Sequence, residues 1–417
     1  MRQVNYEAVV IGGGPAGLAA ATKLAKNGLN ILLIENKRYL GGIPVQCVHT
    51  GFGLLHFKKD MAGTEFAQKL IDMFLNTGAD YMVKAHISEI REKTQSTYEL
   101  FAISRDGVYK IETKDLVYAA GARERSIFEI WVTGERPEGI YTAGEAQALM
   151  DLYGIMPGRE VVVIGSGDVG LIMARRFALE EANAKAVIEI MPYPGGLIRN
   201  VVWCLHDFNI PLLLSHMVKR IEGKNRVEKV VVCRVDEELK PIPGSDFELK
   251  CDTVIVSAGL RPDIDLLAKL GVEIDPATGG PVVNDLLETS KPRVHVAGNT
   301  LLINDLVDYA VEQGEWAAEG FLERLDEQGD HEAKIKVEAG EGLRFVVPHY
   351  ISGLRDVMFY MRVRMPIEDV TLEADEIGLR MKLYKARPAE IIRIKIPKKA
   401  LMRAEGVGTI TFHVRRT

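Results

Sequence analysis

Short apolar runs and helically spaced small residues alternate over most of this chain. Ala8-Val9-Val10-Ile11 is β-branched and brief, which predicts a buried parallel strand, and Leu18-Ala19-Ala20-Ala21-Thr22-Lys23-Leu24-Ala25 predicts a helix. Asn30-Ile31-Leu32-Leu33-Ile34 predicts the next strand. The same order returns later, as a strand Val161-Val162-Val163-Ile164, a helix through Ala178 and a strand Ala186-Val187-Ile188. From residue 343 the pattern changes to strands alone, at 343–348, 357–363, 377–384, 391–396 and 409–414. Several alternate, as in Phe359-Tyr360-Met361-Arg362-Val363-Arg364, so the tail is expected to form a small antiparallel β domain of sandwich type.

At each strand-to-helix junction stands a glycine turn, Gly12-Gly13-Gly14-Pro15-Ala16-Gly17 and Gly165-Ser166-Gly167-Asp168-Val169-Gly170. A lone G-x-G-x-x-G is weak, but the strand before and helix after give it meaning. The first glycine permits the tight turn, the second lets backbone approach a pyrophosphate, and the third lets helix and strand pack closely. The helix N-terminus offers free N–H groups and partial positive charge to the phosphates. An acid then ends each second strand, Glu35 and Glu189, where a ribose diol needs an acceptor. After Glu189 the chain reads Ile190-Met191-Pro192-Tyr193, with no cation for a 2′-phosphate, so NAD is favoured over NADP unless Arg199 folds back.

The 417 residues suffice for two or three domains, and 47% hydrophobic with 26% charged residues suits a globular protein. A net charge of −6 gives no reason to expect nucleic acid or a membrane surface as partner. Glu7 and the glycines at 12–14 interrupt the apolar start, and no apolar run reaches membrane-spanning length, so a cytoplasmic protein is expected. Charge is uneven: residues 343–417 hold fifteen Lys and Arg against eight Asp and Glu. Polar, glycine-containing stretches precede them, so 329–342 is expected as a linker. Cys47, Cys204, Cys233 and Cys251 are scattered without metal-ligand spacing, which speaks against a zinc site or a disulfide scaffold.

Five motifs now stand in order: the first turn, a strand over 115–122, the second turn, the run Asp252-Thr253-Val254-Ile255-Val256-Ser257-Ala258-Gly259, and Arg293-Val294-His295-Val296-Ala297-Gly298-Asn299. This order resembles the two-dinucleotide-binding-domain flavoproteins, the pyridine nucleotide-disulfide oxidoreductases of thioredoxin reductase-like build, over residues 5–325. The resemblance implies two Rossmann-like α/β domains of three-layer ββα type, the NAD domain inserted into the FAD domain. Boundaries are expected at 1–125 and 256–328 for FAD, 126–255 for NAD(P) and 343–417 for the β domain. It implies FAD contacts at Gly12, Gly14, Pro15, Ala16, Gly17, Glu35, Asn36, Gly41, Gly42, Ile43, Ala120, Gly121, Gly298, Asn299, Tyr309 and Ala310. NAD is implied at Gly165, Gly167, Asp168, Val169, Gly170, Glu189 and Gly259. The stretch from Asp308 to Gly314 is similar to the helix whose N-terminus points at the flavin.

Two departures qualify the resemblance. Asn299 stands where the family has aspartate, and the redox cysteine pair that names the family is missing. The chain is in this respect similar to the NAD/FAD subunits of amine, opine, proline, sarcosine or glycerol-3-phosphate dehydrogenases. Segments 121–125, 139–147 and 189–196 carry that likeness. Cys47, two residues from His49, is either a thiolate partner of the flavin or a small buried filler. Tyr309 and Asp308 are candidate acid–base groups, with packed or solvated roles as the alternative. Arg123 and Arg125 serve either as anion clamps or as ordinary surface pairs. The function expected is hydride exchange between NAD(H) and flavin, as a subunit whose β domain docks a dehydrogenase partner, in an oligomer. The alternatives are a stand-alone NADH-dependent reductase of a small molecule or redox protein, and a non-catalytic flavin-binding scaffold.

Overall fold

The computed structural model describes residues 1–94, 97–326, 333–404 and 406–416. The expected boundary at 328/329 and the first part of the expected linker lie outside the described residues. The chain divides into two compact units, Met1–Ala122 with Pro262–Thr417, and Arg123–Arg261. The second is thus inserted into the first, and the C-terminal strands group with the first.

In the discontinuous unit the strand order is Asp80–Met82, Ile31–Ile34, Arg2–Ile11, Gly107–Tyr118, Thr97–Ser104, His86–Thr94. The first four are parallel. The 12-residue Gly107–Tyr118 strand changes partner along its length. Up to Thr113 it pairs antiparallel with Thr97–Ser104, and over Leu116–Tyr118 it takes Val294–Val296 in parallel. Its inner half is buried on both faces, as a covered parallel sheet requires. The helix Pro15–Lys26 opens with proline at its first turn and ends before Gly28, whose φ of +85° suits glycine. It lies against the helix Val307–Asp326 so closely that a Cβ on Gly314 would stand 2.1 Å from the Ala16 carbonyl oxygen.

The inserted unit repeats the scheme with a parallel sheet, Leu212–Leu214, Asn183–Glu189, Glu160–Ile164, Thr253–Val256, Ile140–Thr142. A second sheet joins Phe247–Lys250, Lys229–Arg234 and His216–Glu222 as antiparallel neighbours. Valines and isoleucines of the strands form one of its cores, and in the other they pack with helix residues such as Ala146, Met150, Leu171, Met173 and Phe177.

The C-terminal strands make two sheets. One runs Tyr350–Ile351, Ile335–Ala339, Thr409–Arg416, Ile367–Ala374, Leu379–Ala386, the other Leu343–Val347, Val357–Val363, Ile392–Ile396. Phe359 and Phe412 meet across them with ring centroids 5.0 Å apart. Three strands escape the sequence pattern, the two-residue Tyr350–Ile351 among them. Ile335–Ala339 falls inside the expected linker, yet Ile335 and Val337 are buried while Lys336 is exposed, and it pairs in parallel with Thr409–Arg416. Ile367–Ala374 buries only Val370, Leu372 and Ala374, an alternation masked by its acids and threonine. One apolar cluster runs from these strands into the core of the first sheet.

Candidate functional site

The first glycine turn is locked by its acid. Glu35, 7% exposed, accepts the Gly13 amide at 2.7 Å through Oε2 and the Lys37 amide at 2.7 Å through Oε1, while Asn36 between them is exposed. Gly12 and Gly17 are needed for space: a Cβ would stand 2.3 Å from the Ala119 carbonyl oxygen at the first, and 1.8 Å from that of Gly12 at the second. Gly14 differs, since a Cβ there would meet only Gly42 Cα at 3.9 Å. Gly41 and Gly42, at φ +107° and +65°, are brought against this turn, the Gly41 amide donating to the Gly13 carbonyl at 2.8 Å. Ile43 beside them is exposed, and Pro15 is half-buried. No side chain caps the Pro15–Lys26 helix and no acid lies in its first turn. Open N–H groups over a bare glycine fit the pyrophosphate of FAD.

The second turn repeats this with one change. Glu189, 6% exposed, accepts from Ser166 N at 2.9 Å, Ser166 Oγ at 2.5 Å and the Met191 amide at 2.9 Å. Gly165 and Gly170 are tight against Ser257, and Gly167 is open, its nearest neighbour the Ser257 hydroxyl at 3.7 Å. This too fits a dinucleotide. The change is Asp168, whose Oδ1 accepts the Leu197 amide at 2.8 Å and Asn200 Nδ2 at 2.7 Å. The carboxylate thus holds residues 195–200 against the turn, a contact no motif announces. Arg199 is exposed, Val169 half-buried, and the Gly259 carbonyl takes the Arg125 amide at 3.0 Å. Arg123 and Arg125 are both exposed.

Around Gly298 the structure adds residues the sequence motifs passed over. Thr300 Oγ1 accepts the Gly121 amide at 2.8 Å and donates to the Gly121 carbonyl at 3.1 Å, fixing the end of the Ala120-Gly121 strand. The fully buried Gln313 accepts the Gly298 amide at 3.1 Å and donates to Asn304 Oδ1 at 3.0 Å. Asn299 Oδ1 accepts the Asn304 amide at 3.0 Å. A Cβ on Gly298 would crowd that of Ala16 at 2.8 Å and lie 3.8 Å from that of Ala310, so the return segment abuts the first helix.

Asp308 is buried, and its carboxylate accepts three amides, from Gly53 at 3.2 Å, Leu55 at 3.1 Å and His56 at 2.8 Å. Tyr309 packs edge-on against Tyr360 at 6.1 Å and under the Arg393 guanidinium at 5.8 Å, and burial pushes its phenol upward. Cys47 is buried with its thiol donating to the Ile43 carbonyl at 3.5 Å, while His49 Nδ1 meets the Thr50 carbonyl at 2.9 Å. None of the four cysteines is joined in a disulfide. Burial raises the thiol of Cys204 to about 11 and that of Cys251 to about 12. Among the described residues no group of three or more His, Cys, Asp or Glu is arranged for a metal, and no helix is long and apolar enough to cross a membrane.

Two strand–turn–helix junctions, each tied to a buried carboxylate at the end of the next strand, have the geometry of two dinucleotide-binding turns. The chain belongs to the pyridine nucleotide-disulphide oxidoreductase family, whose profile matches residues 6–314. It is 29% identical over 316 residues to an NAD(P)H sulfur oxidoreductase (CoA-dependent) of Pyrococcus abyssi, covering 71% of this chain and 63% of that protein. To an opine oxidase subunit of Agrobacterium tumefaciens it is 24% identical over 313 residues, covering 70% of this chain and 61% of that one. Its fold is similar to that of T. acidophilum thioredoxin reductase, with a TM-score of 0.65 and 24% identity over 78% of this chain and 99% of that one. The chain spans less than two thirds of the length of the first curated relatives it matches.

Proposed function

We propose that this chain is the NAD(H)-linked flavoprotein component of a larger dehydrogenase, with the second substrate handled by a partner. The observation that carries this reading is the state of the cysteines. All four are buried thiols outside any disulfide, and Cys47, five residues past Gly42, donates to the Ile43 carbonyl of its own turn. The disulfide relay of the family has no counterpart in such thiols. The likeness to a component of an opine oxidase supports the same conclusion.

When bound, FAD and NAD(H) would supply the hydride chemistry. The residues of the chain bind and orient. Glu35 and Glu189 hold their turns and present the remaining acceptor capacity to a ribose diol, Gly14 and Gly167 admit the pyrophosphates, and Thr300 and Gln313 fix the return segment. A buried carboxylate at Glu189 repels a 2′-phosphate, which supports NAD over NADP. Asp308, occupied by three amides, serves to position residues 53–56 rather than to move a proton.

The test is anaerobic mixing of the FAD-loaded protein with NADH. Bleaching of the 450 nm band faster than any turnover with soluble acceptors, together with turnover once a co-purified partner is added, is the expected result. A second reading, a self-contained reductase, is favoured by the match to the Pyrococcus sulfur oxidoreductase. Steady NADH consumption with polysulfide and no partner would replace the first reading with the second. A flavin that NADH leaves oxidised would reduce the protein to a scaffold.

A further inference from the structure

The first turns of the Val307–Asp326 helix carry or adjoin three carboxylates, Asp305, Asp308 and Glu312. Negative charge there opposes the positive end of the helix dipole. The C-terminal strands bring two arginines to the same place. Arg393, on Ile392–Ile396, donates to Glu312 Oε2 through Nε at 2.7 Å and to Oε1 through Nη2. The Tyr360 hydroxyl, on Val357–Val363, donates to the same Oε2 at 2.7 Å. Arg362 Nη2 donates to the Ile303 carbonyl at 2.9 Å and lies 3.9 Å from Asp305 Oδ1, while the Ile391 amide donates to Asp305 Oδ2 at 3.3 Å. Tyr309 is enclosed by this group, between the Tyr360 ring and the Arg393 guanidinium.

We propose that Arg393 is a positioning residue through which the C-terminal sheets cancel the charge of Glu312 at the flavin end of this helix, and thereby keep that carboxylate from lowering the flavin's reduction potential. The inference rests on the FAD reading above and on the similarity of the stretch from Asp308 to Gly314 to the family's helix whose N-terminus points at the flavin. Reduction places negative charge on the flavin, so nearby cations favour it and nearby carboxylates oppose it. In the intact pair the two charges nearly cancel at a distance. Removing either one exposes the other. The side chains of Arg393 and Glu312 are 34% and 31% exposed, so solvent screens part of the effect.

The signs separate this from loosening of the structure. Arg393→Gln leaves Glu312 uncompensated and should make the potential more negative. Glu312→Gln leaves Arg393 uncompensated and should make it more positive. A change that only loosened the contact would move both in one direction. Potentials of the full-length FAD-loaded protein, measured against reference dyes, are expected to shift about tenfold in the reduction equilibrium each way, about 30 mV per tenfold for a two-electron couple. Arg393→Lys, which keeps the charge, should restore most of the parent value, as should the double Gln variant. Shifts under threefold, or shifts of one sign, overturn the proposal, and melting curves of the apo proteins show which variants are folded. Should Arg393→Gln not fold, Arg362→Gln takes its place with the same expected sign. A parent protein that takes up no FAD defeats the underlying cofactor reading instead, a result visible before any variant is made.

Discussion

The amide of Gly13 donates to Oε2 of Glu35 at 2.7 Å, joining two residues 22 positions apart inside the core. The carboxylate therefore shapes the first glycine turn, and in the proposed reading it also faces the ribose of FAD. Glu35→Ala removes a charge-assisted bond in the range of 1.5–3 kcal/mol, so FAD affinity should fall by roughly 10- to 100-fold. Titration of the apo protein with FAD, followed by flavin fluorescence, measures it. An unchanged dissociation constant would remove Glu35 from the cofactor site.

At the second turn the proposed preference for NAD rests on Glu189 in the same way. Glu189 binds Ser166 twice and Met191 once, and its buried charge is unfavourable to a 2′-phosphate. NADH should reduce the flavin with kcat/KM at least about tenfold above NADPH, a difference of roughly 1.4 kcal/mol. Glu189→Gln should narrow that ratio several-fold. Stopped-flow reduction with both coenzymes gives both values.

Asp308→Ala would strip three amides of their acceptor while leaving the helix intact. The loss should be about 1–3 kcal/mol of local stability, enough for a roughly 5- to 100-fold rise in exchange of the Gly53, Leu55 and His56 amides. Hydrogen–deuterium exchange on peptides covering 50–60 reads this directly. Slow exchange in the variant would mean that the phenylalanine cluster of Phe52, Phe57 and Phe66 holds the segment unaided.

Asp115 gives the fold a pH dependence. Burial pushes its carboxyl up to about 6, against the pull of the Arg293 guanidinium 2.9 Å away. Because the folded value lies above the unfolded one, the folded state binds this proton more tightly. The stability so gained is fully present below about pH 4 and is lost as pH rises through about 6. Asp115→Asn should therefore gain on the parent, by something on the order of 3 kcal/mol, between pH 4 and pH 7.5. Denaturant melts across that range test it, and parallel curves for the two proteins would refute it.

What the sequence determined by itself was whatever depends on neighbours in the chain. The glycine turns, their strands and helices, and the acids that end the second strands are local patterns, since a strand, a tight turn and a helix each restrict residues next to one another. Several site features were not local and so were not legible. Thr300 reaches Gly121 because the return strand Val294–Val296 lies beside Gly107–Tyr118, and Gln313 reaches Gly298 from the Val307–Asp326 helix. The strand Ile335–Ala339 looked like linker because polar, glycine-containing sequence flanks and overlaps it, and it exists because Thr409–Arg416 supplies its ladder. Most of all, Asp308 and Tyr309 looked alike as titratable neighbours on one helix. Tertiary packing separated them, giving the carboxylate to the amides of residues 53–56 and the ring to Tyr360 and Arg393 of the C-terminal sheets. Sequence distance carries no information about such contacts, because burial and hydrogen bonding are settled by which surfaces meet after the chain has folded.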